Sequence, residues 1–382
     1  MINFGILDEL GVHRLINACG TLTVLGGTTL DDEILGAIRE ASKVFLDVPE
    51  LHVRAGDYIA RMLGAEDAYV TSGGAAGIAL SVAACITRGD GTKMVRLPMT
   101  EQMSNEVVVQ KLHRNMYDRN IEVVGGKIVE VGNQKGTSAI ELEQALTERT
   151  AAVVYFVFDP QEGVLPLERV LDISHRHNTP VIVDAAAELP PVSNLMQFIK
   201  MGADLVIFSG GKDLGAPNNT GLVLGKKNLI EVCRRLGPHS YETTDVGTRV
   251  HIGRPMKVSK EDIVAVVVAV KRYLNTDHDR RMKEWETKAD YMANQLSGLG
   301  VKARRVSPSF GHPRPVSIPR VEVEVSSGVK TSEWLVENLR KMSPPIYSYS
   351  INGKLYLNPQ CLKEGEEEIV VSSLKSLLFR RT

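Results

Sequence analysis

Short runs of apolar, mostly β-branched residues recur along the first two thirds of the chain, with amphipathic stretches between them. The runs that predict strands are residues 68–72, 106–110, 151–158, 180–184, 204–209 and 221–224. Runs with so few polar positions are typical of strands that are buried on both faces of a sheet. The stretches 138–146 and 167–177 space their apolar residues as amphipathic helices do. This alternation predicts an α/β domain with a mostly parallel sheet.

A second pattern begins after residue 258. Ser259, with Asp262 three positions later, has the form of a capped helix start, and the apolar run 263–274 is long enough for a buried helix. The rest of the chain predicts further helices and short strands, the helices at 280–296, 332–341 and 364–378 and the strands at 321–325, 347–351 and 355–357. The expected organisation is an N-terminal segment at residues 1–45, a large domain at 46–274 and a small C-terminal α/β domain at 275–382.

The composition argues against several classes of protein. The 382 residues carry a formal net charge of −1, and Lys and Arg are spread along the chain, so no basic surface for nucleic acid is expected. The four cysteines are far apart, which gives no support to a disulfide framework or a zinc site. No apolar run approaches about 18 residues, and the opening lacks a basic start leading into an apolar stretch. We expect a cytoplasmic protein without a metal, membrane or nucleic-acid partner.

Polar residues that directly follow buried strands are the first candidates for a site, because ligands of open α/β sheets lie at the carboxyl ends of the strands. Ser72, Gly73 and Gly74 follow the first run and open an apolar helix at residues 76–86. Glycines there let backbone N–H groups approach a phosphate at the helix N-terminus. A dinucleotide fingerprint would need Gly in place of Ser72. A tight strand-to-helix turn explains the same residues equally well.

Asp184 ends another buried run and is followed by three alanines. A carboxylate at the end of a buried strand is costly unless it is paired, so it favours a cation such as a protonated pyridine nitrogen. The small residues after it leave room for a flat ring. A helix N-cap is the alternative role for this Asp.

Lys212 lies just after the run 204–209, with Ser209, Gly210 and Gly211 before it. An amine close behind a buried strand can be desolvated, which lowers its pKa and makes it available for imine formation. The spacing excludes a nucleoside-triphosphate loop, which would need Gly at Val206. The alternative is a solvated loop lysine.

Together these three strand ends supply a phosphate cup, an acid for a ring nitrogen and an imine-forming lysine. Those are the parts that an enzyme using pyridoxal 5′-phosphate must provide. Their order along the chain resembles that of the fold type I pyridoxal-phosphate enzymes related to aspartate aminotransferase.

Four blocks narrow the resemblance, at residues 14–21 (RLINACGT), 204–215 (DLVIFSGGKDLG), 221–230 (GLVLGKKNLI) and 252–260 (IGRPMKVSK). They resemble the selenocysteine synthase (L-seryl-tRNA(Sec) selenium transferase) family, and above all its members of the D-glucosaminate-6-phosphate ammonia-lyase type. The resemblance implies a fold type I large domain with a seven-stranded type of sheet and a small C-terminal α/β domain.

The resemblance also implies roles for individual residues. Lys212 would form the Schiff base and Asp184 would pair with the ring nitrogen. The residues that would hold the cofactor phosphate are Ser72, Gly73, Gly74 and Ser209. His113 is the candidate for stacking on the ring, with an exposed histidine at a helix start as the alternative.

Arg254 and Lys257 match a pair of arginines in the transferases and would grip a substrate carboxylate or phosphate, unless they are a solvated loop pair. Fold type I sites are completed across a dimer interface, so a homodimer or higher homo-oligomer is expected. Thr243, Thr244 or the Arg254 loop could contribute in trans.

Three departures argue against selenocysteine synthesis itself. The similarity begins within about a dozen residues of Met1, whereas the transferases carry an N-terminal tRNA-binding domain. Gly211 stands in place of their acidic residue beside the lysine, and Gly27 in place of an early arginine. The tRNA-linked substrate and the selenium donor are therefore not expected.

The leading hypothesis is a lyase that catalyses α,β-elimination on a hydroxy amino acid or amino sugar acid and yields a 2-keto acid and ammonia. Lys212 would remove the α-proton, and Lys212 or His113 would assist departure of the β-hydroxyl. An amino-acid racemase or aminotransferase uses the same residues, so these activities remain alternatives. A selenium transferase acting on seryl-tRNA and a non-catalytic protein of the same fold are further ones.

Overall fold

A computed structural model describes residues 5–157, 162–244, 247–298, 300–308, 311–325 and 330–379 of the chain. The chain forms two compact units. The larger is Thr28–Thr276, and the smaller combines Met1–Gly27 with Asp277–Thr382. The predicted N-terminal segment 1–45 is thus divided between the two units, while the domain limits at residues 46 and 275 stay predictions.

The strands of the described residues, in chain order, are β1 (Ile16–Asn17), β2 (Asp67–Thr71), β3 (Glu106–Gln110), β4 (Lys127–Val131), β5 (Thr150–Phe156), β6 (Val181–Asp184), β7 (Leu205–Ser209), β8 (Gly221–Gly225), β9 (Tyr241–Thr244), β10 (Gly247–Val250), β11 (Val301–Val306), β12 (Arg320–Val325), β13 (Ile346–Tyr347), β14 (Tyr349–Ile351) and β15 (Lys354–Leu357).

The α-helices are α1 (Gly5–Glu9), α2 (Asp32–Ser42), α3 (Val48–Leu63), α4 (Gly74–Thr87), α5 (Gly91–Arg96), α6 (Arg119–Glu122), α7 (Ala139–Ala145), α8 (Leu167–Arg176), α9 (Asn194–Lys200), α10 (Lys227–Leu236), α11 (Lys260–Asn275), α12 (His278–Leu296), α13 (Ser332–Arg340) and α14 (Glu366–Phe379). Short 3-10 helices occur at Thr23–Leu25, Lys111–His113 and Pro359–Cys361.

A seven-stranded sheet forms the centre of the larger unit, with the strand order β2-β8-β7-β6-β5-β3-β4. Strands β7, β6, β5, β3 and β4 run parallel to one another, and β8 is antiparallel to both β2 and β7. The predicted α/β architecture with a mostly parallel sheet is therefore confirmed. Because only β8 reverses direction, the other six strands end at the same edge of the sheet.

Both faces of this sheet are covered, which explains why its strands have so few polar positions. Along β6, Val181 and Val183 belong to one apolar core, whereas Ile182 belongs to the other. The first core also contains residues of α3, α8 and α11, and the second contains those of α4 and α10. Alternate side chains of a strand point to opposite faces, so a continuous apolar run fills both cores.

The smaller unit has a four-stranded antiparallel sheet in the order β11-β12-β15-β14. Residues of α12, α13 and α14 share its apolar core. The N-terminal strand β1 pairs in parallel with β13, where Ile16 lies opposite Ile346. This pairing explains why the first residues of the chain belong to the same unit as the last.

Most predicted elements match the observed ones within two or three residues. Phe158, at the end of the predicted run 151–158, lies outside the described residues. The predicted strand 347–351 is two strands, β13 and β14, which Ser348 separates. None of the predicted runs covers β1, β4, β9, β10 or β11. No helix among the described residues has the length and apolar character needed to cross a bilayer.

Candidate active site

The strand ends that the sequence singled out lie side by side at one edge of the large sheet. Thr71 at the end of β2 is in register with Gly221 on β8, and Gly221 is in register with Ser209 at the end of β7. Asp184, the last residue of β6, is in register with Ile207 on β7. Neighbouring strands are about 4.8 Å apart, so four adjacent strands bring the three candidate segments together.

The first segment forms a tight glycine turn between β2 and α4. Gly73 has φ +99° and ψ 163°, a conformation open to glycine, and its carbonyl accepts a hydrogen bond from Thr71 Oγ1 at 3.0 Å. A Cβ on Gly221 would lie 2.4 Å from the Gly73 carbonyl carbon, so the close approach of β8 requires glycine there. The turn leaves the first backbone N–H groups of the 14-residue helix α4 beyond the strand end. Such a helix start favours an anion.

Asp184 lies beyond the turn of Gly73 on the same sheet edge. Its Oδ1 accepts a hydrogen bond from the Ala186 N–H at 3.0 Å, so the side chain closes a local turn and does not cap a helix. Burial raises the pKa of Asp184 to about 6, although the Ala186 N–H and the positive charge of Lys212 act against the rise. A carboxyl group in this position favours a cationic partner.

Small residues lie where the glycine turn approaches the segment that follows Asp184. A Cβ on Gly74 would lie 3.3 Å from the Ala186 Cβ, so the two segments approach closely. One end of this region favours an anion and the other a cation. A ligand with a phosphate at one end and a protonated ring nitrogen at the other fits both preferences.

Lys212 lies in the loop between β7 and β8, which is closed by backbone hydrogen bonds. The Gly210 N–H donates to the Thr220 carbonyl at 2.9 Å, and the Gly215 N–H donates to the Lys212 carbonyl at 3.0 Å. The positive charge of Lys212 acts against the raised pKa of Asp184, so the amine lies within electrostatic reach of the carboxyl group. Lys212 and Asp184 thus lie at or just after the ends of neighbouring strands at the same sheet edge, and the role of each stays a prediction.

Gly211 explains one departure from the selenium transferases. A Cβ at this position would lie 2.3 Å from the Asn218 Cα, across the same loop. The loop backbone has no room for any side chain at position 211. The acidic residue that the transferases carry there cannot be accommodated without moving this loop.

His113 is buried at the end of the 3-10 helix that follows β3, and only 2% of it is exposed. Its ring meets that of Tyr155 on β5 edge-on, with the centroids 4.6 Å apart. Burial lowers the pKa of His113 to about 4. The imidazole is therefore neutral at neutral pH, and its stacking on a cofactor ring stays a prediction.

Arg254 and Lys257 are exposed in the loop between β10 and α11. The Gly253 N–H anchors this loop by donating to the Leu236 carbonyl at 3.0 Å. Burial lowers the pKa of His239, and the charges of Arg254 and Lys257 lower it further, so these cations lie near that ring. Thr243 Oγ1 is 3.0 Å from Thr248 Oγ1 across the hairpin of β9 and β10. The possible contributions of Thr243 and Thr244 to a partner subunit stay predictions.

Two side chains at this site were not among the predicted site residues. Tyr273 on α11 donates from its hydroxyl to Asp213 Oδ2 at 2.7 Å, next to Lys212 in the chain. The signal was a tyrosine on an otherwise aliphatic helix face. Tyr155, which contacts His113, was hidden inside an apolar strand. Among the described residues, no cluster of His, Cys, Asp and Glu has the arrangement of a metal site.

A family model described as "Aminotransferase class-V" matches residues 36–308 of the chain. A 5'-C-glycyluridine monooxygenase-decarboxylase from Streptomyces is 34% identical over 97% of this chain and 92% of its own length. A D-glucosaminate-6-phosphate ammonia lyase from Salmonella typhimurium is 32% identical over 97% of both chains. An L-seryl-tRNA(Sec) selenium transferase from Alkaliphilus metalliredigens is 24% identical over 97% of this chain and 83% of its own.

Solved structures agree with these similarities. A D-glucosaminate-6-phosphate ammonia-lyase superposes with a TM-score of 0.84 at 30% identity, and the match covers 99% of both chains. A Sphingomonas wittichii serine palmitoyltransferase superposes with a TM-score of 0.58 at 15% identity, over 95% of this chain and 86% of its own, which shows the fold alone. The resemblance predicted from the four sequence blocks is therefore confirmed.

Proposed function

The chain belongs to the aminotransferase class-V family, and from this membership and its site we propose that it is a pyridoxal 5′-phosphate-dependent ammonia-lyase. Its substrate would be a hydroxy amino acid or an amino sugar acid, and its products a 2-keto acid and ammonia. The observation that carries this proposal is the similarity in sequence and structure, over nearly the full chain, to the D-glucosaminate-6-phosphate ammonia-lyase. The site supplies the parts that this chemistry requires.

Pyridoxal 5′-phosphate, when bound, supplies an electron sink that stabilises negative charge at the substrate α-carbon. The glycine turn of Ser72, Gly73 and Gly74 at the start of α4, together with Ser209, would hold its phosphate. Asp184 would hold the proton on its ring nitrogen, because a buried carboxylate favours a cation at that position. Lys212 would attach it to the chain.

Lys212 Nζ is the proposed base for the α-proton. The α C–H bond breaks first, and the electron pair that it leaves then expels the β-hydroxyl, which takes up a proton and departs as water. Water later hydrolyses the carbon–nitrogen double bond of the dehydrated amino acid and releases ammonia. One water is lost and one is added, so the overall reaction involves no net oxidation and needs no oxidant.

The proton for the departing hydroxyl is assigned to Lys212 and not to His113. With a pKa of about 4, the His113 imidazole carries no extra proton at neutral pH. Lys212 Nζ holds the proton that it has just taken and can return it to the leaving oxygen. His113 then serves to position the cofactor ring.

Arg254 and Lys257 would bind the anionic part of the substrate. Both are exposed, and burial followed by their positive potential lowers the pKa of the half-buried His239. A carboxylate or phosphate is the group that such a potential attracts. We further propose a cytoplasmic homodimer or higher homo-oligomer, as is typical of fold type I enzymes.

A second candidate function comes from the Streptomyces relative, which is named as a monooxygenase-decarboxylase. Its identity to this chain is as high as that of the ammonia-lyase. That reaction would consume oxygen and release carbon dioxide, whereas elimination does neither. Racemisation and transamination remain the alternatives that the same residues permit.

The test begins with protein that has been purified with pyridoxal 5′-phosphate. It is incubated under argon and in air with D-glucosaminate 6-phosphate, serine and threonine of both configurations, and an amino acid without a β-hydroxyl. We expect ammonia and 2-keto acid in equal amounts, at the same rate with and without oxygen, and none from the compound without a β-hydroxyl. Lys212→Ala should lack both the visible absorbance of the Schiff base and the activity.

Other outcomes identify the alternatives. Oxygen uptake with release of carbon dioxide would support the monooxygenase-decarboxylase. Loss of optical activity without release of ammonia would indicate a racemase. Formation of keto acid without ammonia, and only when an amino-group acceptor is added, would indicate an aminotransferase. Visible absorbance in Lys212→Ala without added amine would refute the assigned lysine.

A further inference from the structure

The loop that carries Lys212 is attached to helix α11 near both ends of that helix. Near the end of α11, the Tyr273 hydroxyl donates to Asp213 Oδ2 at 2.7 Å. Near its start, the Asn219 side-chain amide donates to Asp262 Oδ2 at 2.9 Å. The two attachment points are about 16 Å apart along a helix that rises 1.5 Å per residue. One rigid element therefore holds the segment that follows Lys212 at two points.

The contact between Asp213 and Tyr273 is buried. Asp213 is 7% exposed and Tyr273 is 1% exposed. A buried carboxylate that loses a hydrogen-bond donor costs free energy, so Asp213 stays where the Tyr273 hydroxyl can reach it. Because consecutive Cα atoms are only about 3.8 Å apart, holding Asp213 in place also restricts where Lys212 can lie.

The hydroxyl of Tyr273 is not needed for packing. The helix face around it is aliphatic and includes Val266, Ala269 and Val270, all fully buried. A phenylalanine ring would fill the same volume with the same apolar contacts. The hydroxyl adds the hydrogen bond to Asp213.

We propose that Asp213 and Tyr273 are positioning residues, which hold Lys212 so that its Nζ can take the substrate α-proton and pass it to the departing β-hydroxyl. This inference rests on the proposed function and adds two residues to it. Taking a proton from one carbon and delivering it to the oxygen on the next carbon requires a fixed geometry, and a misplacement of about 1 Å can cost on the order of 100-fold in rate. Neither residue needs to touch the substrate.

The test compares Tyr273→Phe with Val270→Ala, which removes buried volume from the same helix without touching Asp213. Holoenzyme of each variant is assayed for kcat and KM, for thermal stability, and for the pH at which the visible band of the Schiff base titrates. We expect Tyr273→Phe to lower kcat by about 10- to 100-fold with little change in KM. Val270→Ala should lower the melting temperature at least as much but keep kcat within about twofold of the native protein.

The titration of the visible band is a readout that stability alone does not move. The Asp213 carboxylate that has lost its donor in Tyr273→Phe stabilises a nearby cation more strongly, so the band should titrate at higher pH. Asp213→Asn keeps an oxygen that accepts from the Tyr273 hydroxyl. It should therefore retain more kcat than Tyr273→Phe does.

Two results would overturn the proposal. One is a Tyr273→Phe enzyme that matches Val270→Ala both in kcat and in the titration of the visible band. The other is an Asp213→Asn enzyme that loses as much kcat as Tyr273→Phe, because charge and not position would then matter. The titration of the visible band uses no substrate. It therefore tests the roles of Asp213 and Tyr273 even if the native enzyme releases no ammonia and the proposed function fails.

Discussion

Burial raises the pKa of the Asp184 carboxyl group to about 6, and the positive charge of Lys212 acts against that rise. Asp184 is the last residue of β6, and Lys212 lies in the loop three positions after the end of β7, the strand that runs parallel beside β6. The residue that would pair with the ring nitrogen of the cofactor is therefore influenced by the charge of the residue that would form the Schiff base. It follows that the cofactor should be bound most firmly when Asp184 is ionised and faces a cation.

Asp184 should make the stability of the cofactor-free protein depend on pH. Its pKa in the folded protein, about 6, is above the ordinary value of 3.8, so the folded state binds the proton more tightly than the unfolded state. The destabilisation of the folded protein by the ionised Asp184 carboxylate is therefore absent below about pH 4 and complete above about pH 6. We expect the native apoprotein to lose melting temperature relative to Asp184→Asn as the pH rises through this window, in thermal scans of both proteins.

Bound pyridoxal phosphate should reverse this dependence, because a protonated ring nitrogen pairs with the ionised carboxylate. Holoenzyme should accordingly gain more stability from the cofactor above pH 6 than below pH 4. Curves of melting temperature against pH that run parallel for the native protein and Asp184→Asn would contradict the pairing of Asp184 with the ring nitrogen.

His113 should not titrate in the range where the enzyme works. Burial lowers its pKa to about 4, so the imidazole is neutral from pH 5 to 8. His113→Phe, which keeps a flat ring, should leave the shape of the pH profile of kcat unchanged, whereas His113→Ala should bind the cofactor more weakly. A histidine NMR titration that follows residue 113 checks this directly, and a midpoint near 6.5 would show that the ring is solvated.

Gly211→Ala should damage the Lys212 loop although it adds one methyl group. The new Cβ would lie 2.3 Å from the Asn218 Cα, so the backbone must move, at a cost of about 1–3 kcal/mol. We expect a lower melting temperature and a weaker visible band at equal cofactor concentration. Gly36→Ala is the matched control, since that Cβ meets open space inside helix α2 and should stabilise the helix by up to about 1 kcal/mol.

The double variant Arg254→Ala with Lys257→Ala should weaken the binding of an anionic substrate. Loss of two charged partners should raise KM about tenfold or more and make KM less sensitive to salt. The visible spectrum of bound cofactor should stay the same. Arg39→Ala with Lys43→Ala, which removes two exposed cations from the α2 region, should change neither KM nor its sensitivity to salt. Equal KM values for the two double variants would remove Arg254 and Lys257 from the substrate site.

Much of the fold and of the candidate site could be predicted from local patterns. Buried strands of a parallel sheet are apolar on both faces, so β3, β5, β6 and β7 were visible as runs, and the polar residues after them marked the strand ends. Strand β4 was missed because it is an edge strand whose sequence, KIVEV, mixes charged and apolar positions. The local pattern also did not show the break at Ser348 between β13 and β14.

By itself, the sequence determined which residues end the buried strands, and hence that Ser72, Asp184 and Lys212 share one edge of a sheet. Apolar periodicity is a local property that burial imposes on each element, so it can be recognised without any distant contact. Only the tertiary structure decided the register of Thr71, Gly221 and Ser209, the edge-on contact of His113 with Tyr155, and the hydrogen bond of Tyr273 to Asp213. These relationships join residues far apart in the chain, and they depend on how whole helices and strands pack.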